Sequence, residues 1–424
     1  MIKKIIAGLC LLLSTVAFAQ ENNASPYSFY GIGDAKFKGT VETRSMAGIG
    51  VVADSIHINL QNPASYSSLK FTTFTVGGST GSTLFETDTQ NARAGRTTLD
   101  YIAVALPFGK LAGAFGLMPY TSVGYRIQNT TSNTDTSLNR TRQFDGSGGL
   151  NRVFGGLSYQ ITPKISFGAD FQYYFGDIET TSLVTIPDIG LQYATREKNA
   201  SDYSGVGANI GLMYKTRIKS KYEYYVSATY STEASLKSES VRNIATVSVS
   251  AAGDQSVVDQ IDFTVSNRDY KLPSKFTIGT GFGQARKWFL GAEYTNQQAN
   301  ELGGRFDGTT TSARFENSSK YALGGYWIPK FMSYNSYISR ITYRAGLKFE
   351  KTGLVLGGES IDDKGVSLGL GLPLGGTIGG SNLNIGFEYG QRGTKNAGLI
   401  QENYFNVFIG LSINDKWFVK RKYE

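Results

Sequence analysis

The feature that most restricts the fold of this chain is an alternation of apolar and polar residues with a period of two. Ile165, Phe167, Ala169, Phe171 and Tyr173 alternate with Ser166, Gly168, Asp170 and Gln172. Val206, Ala208, Ile210, Leu212 and Tyr214 alternate with Gly207, Asn209, Gly211 and Met213. The same holds for Ile341 to Phe349, for Leu383 to Tyr389 and for Phe405 to Ile413. Successive side chains of a strand point to opposite faces, so each run is a strand with one apolar face and one polar or small face. A helix would need a period of 3.6. Two all-β architectures satisfy the pattern. One is a soluble sandwich or propeller. The other is a barrel that turns its apolar face to lipid and its polar face inward. A propeller would show a repeat from blade to blade, and none is visible. Several runs end in Tyr, which settles at membrane interfaces.

The spacing of the runs favours the barrel. Strands are expected near residues 68–77, 98–107, 112–127, 143–160, 164–177, 202–215, 222–238, 272–283, 287–297, 314–328, 338–350, 364–373, 381–391 and 402–413. Short connections such as Pro107 to Leu111 and Ile161 to Lys164 alternate with long ones rich in Thr, Asn and Ser. Gly78 to Thr97, Ile127 to Arg142, Asp177 to Ser201, Lys237 to Leu272 and Gln297 to Ser312 are the long ones. Short periplasmic turns and longer outer loops are the pattern of bacterial outer-membrane barrels, which also carry an even number of strands. The expected fold is therefore all-β: a transmembrane antiparallel barrel of about fourteen strands with both termini in the periplasm.

The start of the chain agrees. Lys3 and Lys4 precede an apolar run from Ile5 to Val16 and then Ala17-Phe18-Ala19. That is a secretory signal peptide, residues 1–19, too short to remain as a spanning helix of ~20 residues. Cys10 lies inside the apolar run and is preceded by Leu9, which argues against a lipoprotein. Cleavage would remove the only cysteine, and with it any disulfide, thiol nucleophile or thiolate metal site. No cofactor or metal is expected. Without Lys3 and Lys4, 40 basic residues face 34 acidic ones, net +6. No clustered basic helix or RNA-binding signature accompanies that charge, so a nucleic-acid partner is excluded. The 51 Gly, 26 Tyr and 25 Phe among 424 residues fit a chain that crosses the inner membrane because no single segment is apolar enough to stop there.

One stretch fails to alternate. Glu42 to Leu69 is rich in small residues and reads as an element placed inside the barrel rather than in its wall. The organisation expected is a hatch over 20–67, a barrel over 68–413 and a basic periplasmic tail over 414–424. Gly168, Gly207, Gly211, Gly346, Gly386 and Gly410 fall on the inward set. They leave room in the lumen, or mark a bend or a close backbone approach. The third strand contains Gly116, Pro119 and Gly124. Pro119 has no amide for the ladder and belongs at an edge or bulge. Unpaired backbone at membrane depth is tolerated only where it lines a cavity.

Several segments resemble a known family. Ser45-Met46-Ala47-Gly48-Ile49-Gly50-Val51 followed by Asn62-Pro63-Ala64-Ser65 resembles the N-terminal hatch of the FadL/TodX family of outer-membrane channels for hydrophobic compounds. Lys271-Leu272-Pro273 resembles a second recurring feature of that family. Ser25 to Asp34 and Asn414 to Lys422 are similar to the mature start and the closing segment of its Bacteroidetes members. The resemblance implies a fourteen-stranded barrel with a luminal hatch, here carrying Met46, Gly48, Gly50, Asn62, Pro63 and Ala64. It implies passive uptake of long-chain fatty acids or aromatic hydrocarbons, released through a lateral opening at the third strand, here Gly116, Pro119 and Gly124. It also places Asn62-Pro63-Ala64 opposite that interrupted strand.

The residues themselves also raise a different reading. The long connections are polar, with only Leu84-Phe85 and a cluster of Ile186, Leu191 and Tyr193 to offer an apolar ligand. Related barrels serve as non-conducting subunits of secretion or barrel-assembly complexes, so an outer-membrane protein complex is the alternative partner. Lys110, Lys164, Lys215, Arg217, Lys219, Lys221, Arg286, Lys287 and Lys330 sit in or beside the expected periplasmic connections, where outer-membrane lipid headgroups are further partners. An enzyme is not expected. The sole histidine, His57, sits between Ile56 and Ile58 and reads as a packing residue, and no Gly-rich run opens a helix for a nucleotide.

Overall fold

The computed structural model describes residues 23–132, 139–186, 192–250, 254–298, 313–374 and 380–417. The signal peptide, Leu191, residues 299–312 of the long connection Gln297 to Ser312 and the tail beyond Trp417 lie outside the described residues. Among those described, a single antiparallel sheet closes on itself. Its fourteen staves are β1 (Thr72–Glu86), β2 (Asn91–Phe108), β3 (Leu111–Pro119 and Thr121–Ser132), β4 (Asn139–Gln160), β5 (Ile165–Thr185), β6 (Gln192–Ile218) and β7 (Tyr222–Ser231 and Ala234–Val249), followed by β8 (Gln255–Leu272 and Lys275–Gln284), β9 (Trp288–Gln297), β10 (Ala313–Phe315 and Ser318–Trp327), β11 (Thr342–Leu356), β12 (Glu359–Leu374), β13 (Ser381–Arg392) and β14 (Gln401–Asp415). Each stave pairs with the next in sequence, and β14 pairs with β1 from Asp415↔Thr72 to Gln401↔Glu86 to shut the ring.

Burial follows the alternation. Phe171 is 60% exposed, while its neighbours Asp170 and Gln172 are 3% and 2% exposed. The exposed side is the lipid side, and the buried side faces the lumen. No described helix is long and apolar enough to cross a membrane; the crossing is made by strands. Aromatic rings gather at the turn end of the wall, where Tyr222 stacks on Phe282 at 5.4 Å, Trp288 meets Phe282 at 5.7 Å and Trp327 meets Tyr343 at 5.8 Å. Such a band marks the membrane interface. This is an outer-membrane barrel. Replacing Phe171 with Arg is expected to cost about 2–4 kcal/mol, the price of a cation in the lipid-facing band. Urea titration of the barrel in phosphatidylcholine vesicles measures it, and a cost below ~0.5 kcal/mol would mean that this face does not meet hydrocarbon.

The long connections differ from the sequence expectation. Residues 78–97, 127–142, 177–201 and 237–272 are strand over most of their described length, and β6 alone runs for 27 residues. Thr-rich polar segments favour the pleated conformation as readily as apolar ones. Beyond the bilayer the outward face meets water and can be polar, so the apolar alternation that betrays a strand weakens, while Leu183, Ala194, Ala245, Val247 and Val249 still bury an inner face. The strand expected at 338–350 starts instead at Thr342, after a 3-10 turn at Ile338–Arg340.

The segment from Asn23 to Phe71 fills the lumen. It contains a 3-10 turn (Pro26–Phe29), a two-residue strand (Asp34–Ala35), a one-turn helix α1 (Val41–Arg44) and a 3-10 helix (Pro63–Ser68). Its apolar residues share a core with inward residues of the wall. Val41, Ile58, Leu60 and Tyr66 pack with Tyr101, Met118, Phe154 and Phe408. Ile49, Val51 and Ala64 pack with Met213, Tyr225 and Phe289.

Candidate functional site

Two features of the lumen are candidates for function: the seating of the hatch and the interruption of the wall beside it. The hatch is seated on inward glycines. A Cβ at Gly168 would strike Pro63 and Ala64, one at Gly211 would strike Asn62, and one at Gly346 would strike Met46 and Ala47. Close approach, rather than empty space, is therefore the role of these three glycines. Asn62 caps the 3-10 helix by accepting from the Ala64 amide at 3.0 Å, and Pro63 occupies its first position, where no amide is needed. The Ser158 hydroxyl donates to the Ala64 carbonyl at 3.0 Å. Earlier in the hatch, the Gly48 amide donates to the Thr43 carbonyl at 2.8 Å and closes the turn that follows α1, with Ala47 at φ +59° and Gly48 at φ +88°. The Gly50 amide donates to Glu293 at 2.9 Å, and Asn59 donates to the Gly50 carbonyl at 2.6 Å.

The wall is interrupted at the third stave. Pro119 ends the first half of β3, and the Tyr120 amide turns to the Leu150 carbonyl at 2.7 Å. The second half pairs with β4 and, at Thr121 and Ser122, with Ala35 and Asp34 of the hatch. β2 meets β3 only through Ile102 to Phe108. From Asn91 to Tyr101 no described strand joins the β3 side of β2, which leaves a seam in the wall. Thr121 to Tyr125 are buried on both faces, as a segment folded into the lumen must be. Gly148 (φ +105°) and Gly149 (φ +143°) let β4 follow the bend. Gly124 lies on the Asn23 backbone, and its amide donates to the Ser28 hydroxyl at 3.1 Å. Gly116 lies lower, against Ala103 and the Phe154 ring.

This geometry divides the residues singled out in the sequence. Pro119 and Gly124 flank the interruption. Met46, Gly48 and Gly50 stand elsewhere in the lumen, toward β8–β12. The 3-10 helix Pro63–Ser68 packs mainly on β4–β6, and its Asn62-Pro63-Ala64 start lies against β5 and β6 rather than opposite the interruption. Asn23 to Ala35 occupies that place instead. A proline locates a break from sequence alone, but nothing in the local pattern says which luminal segment will meet it.

Sequence reasoning also missed a network of buried charges. Arg44 of α1 donates to Glu388 at 3.0 Å and to Asp100 at 3.4 Å. Lys348 bridges Glu388 at 2.9 Å and Asp363 at 3.0 Å, and Arg392 pairs with Asp34 at 2.6 Å. Asn384 and Ser412 both donate to Glu42. The available signal was charge on the inward set, as at Lys348 and Glu388, which an empty pore would not need to pair. His57 is held by Asp54 at 2.5 Å and lies 3.7 Å from Glu42. Burial alone would lower the imidazole, but the two carboxylates outweigh it and hold His57 above its usual pKa. Burial would raise Asp54, yet His57 and the Ser55 amide bring it down to about 2. The hatch is thus tied to the wall by salt bridges, not only by apolar packing.

Between the hatch and the outer hairpins lies a cavity of about 410 Å³ that reaches the free edge of β2 at Ala94, Gly95 and Arg96. Its wall is charged, with Lys36, Lys38, Asp100, Lys275, Glu293 and Glu350 among the lining residues.

A family model described as BamG matches residues 1–424. None of the curated proteins matches the chain. Among solved structures, a FadL homologue of Pseudomonas aeruginosa superposes with a TM-score of 0.59 at 12% identity, covering 91% of this chain and 100% of that one. The toluene transporter TodX of P. putida gives 0.57 at 16%, covering 90% and 100%. The toluene transporter TbuX of Ralstonia pickettii gives 0.57 at 14%, covering 89% and 99%. At these identities the likeness is one of fold.

Proposed function

The chain belongs to the BamG family, and we propose that it is a non-conducting barrel subunit of the outer-membrane barrel-assembly (BAM) machine. The family name supports an association with that machine. The single observation that carries the reading is the charge of the lumen. A passage for fatty acids or aromatic hydrocarbons is lined by apolar side chains with few polar groups. Here the space above the hatch is walled by Lys, Arg, Asp and Glu, and the hatch below it is fastened by Arg44–Glu388 and Arg392–Asp34. Moving an apolar solute through that space would desolvate those groups without replacing their partners. The seam beside Pro119 favours hydrophobic uptake with lateral release through Gly116, Pro119 and Gly124, but it too is bordered by Arg96 and Asp100.

Affinity purification of the full-length protein from its own outer membrane in mild detergent is expected to recover the central barrel-assembly subunit in constant proportion. Liposomes holding the purified protein alone are expected to take up oleate and toluene no faster than protein-free liposomes. Recovery of the barrel alone, together with saturable uptake that Pro119→Val abolishes, would establish the channel reading in its place.

A further inference from the structure

The cavity above the hatch carries a charge imbalance that the hatch contacts do not use. On one side its charges are matched: Arg44, Lys348 and Arg392 meet Asp100, Glu388, Asp363 and Asp34. On the other side the lining holds Lys38, Arg152, Lys275 and Lys320 with two carboxylates, Glu293 and Glu350, and Asp170 stands by Arg152 behind the lining. Arg152 is 7% exposed. Its guanidinium donates to Gln172 at 3.2 Å and rests on the Met118 sulfur at 2.8 Å, and its Nε is buried without a partner. Lys38 stands 3.6 Å above the Tyr120 ring centroid, and Lys320 lies 5.7 Å from that of Phe37. Among the described residues no hydrogen bond or ion pair reaches the ammonium group of Lys38, Lys275 or Lys320. The two carboxylates are not aimed at them. Glu293 accepts the Gly50 amide, and Glu350 lies across the ladder from Lys320 without an ion pair. Cations gathered in a barrel interior repel one another and lose hydration unless an anion joins them.

We infer that this side of the cavity is an anion site and that its ligand carries a phosphate group. Four cations against Glu293, Glu350 and Asp170 leave an excess of positive charge, and a phosphate brings full negative charge on three acceptor oxygens to cations that converge from different staves. A carboxylate ligand would offer only two oxygens to the same cations. The cavity is open to the seam at Gly95, which is level across the sheet with Ser82 and, beyond it, with lipid-facing Phe405. A phosphate can therefore arrive on a lipid headgroup through the seam or free from the outer face. The site stands whether or not the barrel joins an assembly machine.

Thermal unfolding of the full-length protein in dodecylmaltoside, at fixed ionic strength, tests the site. Inorganic phosphate and dioctanoyl phosphatidic acid are each titrated against chloride. A saturable rise in Tm is expected. A rise with phosphatidic acid alone assigns a lipid headgroup, and a rise with inorganic phosphate assigns the free ion. Lys275→Gln is expected to weaken the apparent affinity about tenfold, the loss of one charge-assisted contact. It is also expected to leave the ligand-free Tm unchanged or higher, since a repulsion is relieved; Lys38→Gln should behave alike. The inference falls if neither phosphate compound raises Tm more than chloride. It falls equally if both variants respond as the wild type does, or if both lose ligand-free stability.

Discussion

A Glu388→Ala variant is expected to lose about 3–5 kcal/mol of folding free energy, the cost of removing one partner from a buried ion network. Glu388 accepts from Arg44 at 3.0 Å and Lys348 at 2.9 Å, and no other acidic group can take its place between them. Asp100 holds Arg44 from the side at 3.4 Å, and Asp363 holds Lys348 at 3.0 Å, so each cation keeps one contact and loses its shorter one. The fraction of folded barrel against urea, read in detergent micelles by gel mobility without heating, gives the number. Tyr389→Ala, one residue along on the lipid face, is the control and should change the midpoint far less than Glu388→Ala does. A Glu388→Ala loss below ~1 kcal/mol would mean that water enters the lumen freely enough to solvate Arg44 and Lys348, and the polar wall would then be a wet pore.

The second large effect is expected at the hatch seat. Gly168→Leu places a side chain where the Pro63 carbonyl and Ala64 amide now lie, while the β5 ladder on either side is untouched. Overpacking of this kind costs about 1–3 kcal/mol, and here it acts between hatch and wall. The hatch should therefore open about tenfold to a hundredfold more often, since 1.4 kcal/mol is a factor of ten. Limited proteolysis of the folded barrel at sites between Asn23 and Lys70 follows the open population. Gly155 has open space around its Cβ position on the lipid face, so Gly155→Leu should leave the proteolysis rate unchanged. Equal rates for the two variants would mean that Gly168 is not a seat for the hatch.

Much of this fold is legible in the chain because lipid on one side and a lumen on the other impose opposite chemistry on successive residues. Phe167 against Gly168 and Phe405 against Asn406 report a wall position without any knowledge of neighbours. The outer parts of β5 to β8 are less legible. Around Ser182 and Asn243 the outward face no longer meets lipid and can be polar, so the pattern weakens although Leu183, Ala245 and Val247 bury the inner face. The hatch is legible as a stretch that does not alternate, but its contacts are not. Pro63 meets Gly168 across more than a hundred residues, and Arg44 meets Glu388 across more than three hundred.

By itself the sequence determined the barrel, the even number of staves and the site of the break at Pro119, because alternation, strand spacing and a missing amide are local properties. Only the tertiary structure decided what fills the lumen and what that filling means. Curling fourteen staves into a ring brings the inward residues of distant strands around one luminal segment. In that shared, poorly hydrated space a charge must find a partner, and whether it does depends on the closure of the whole ring.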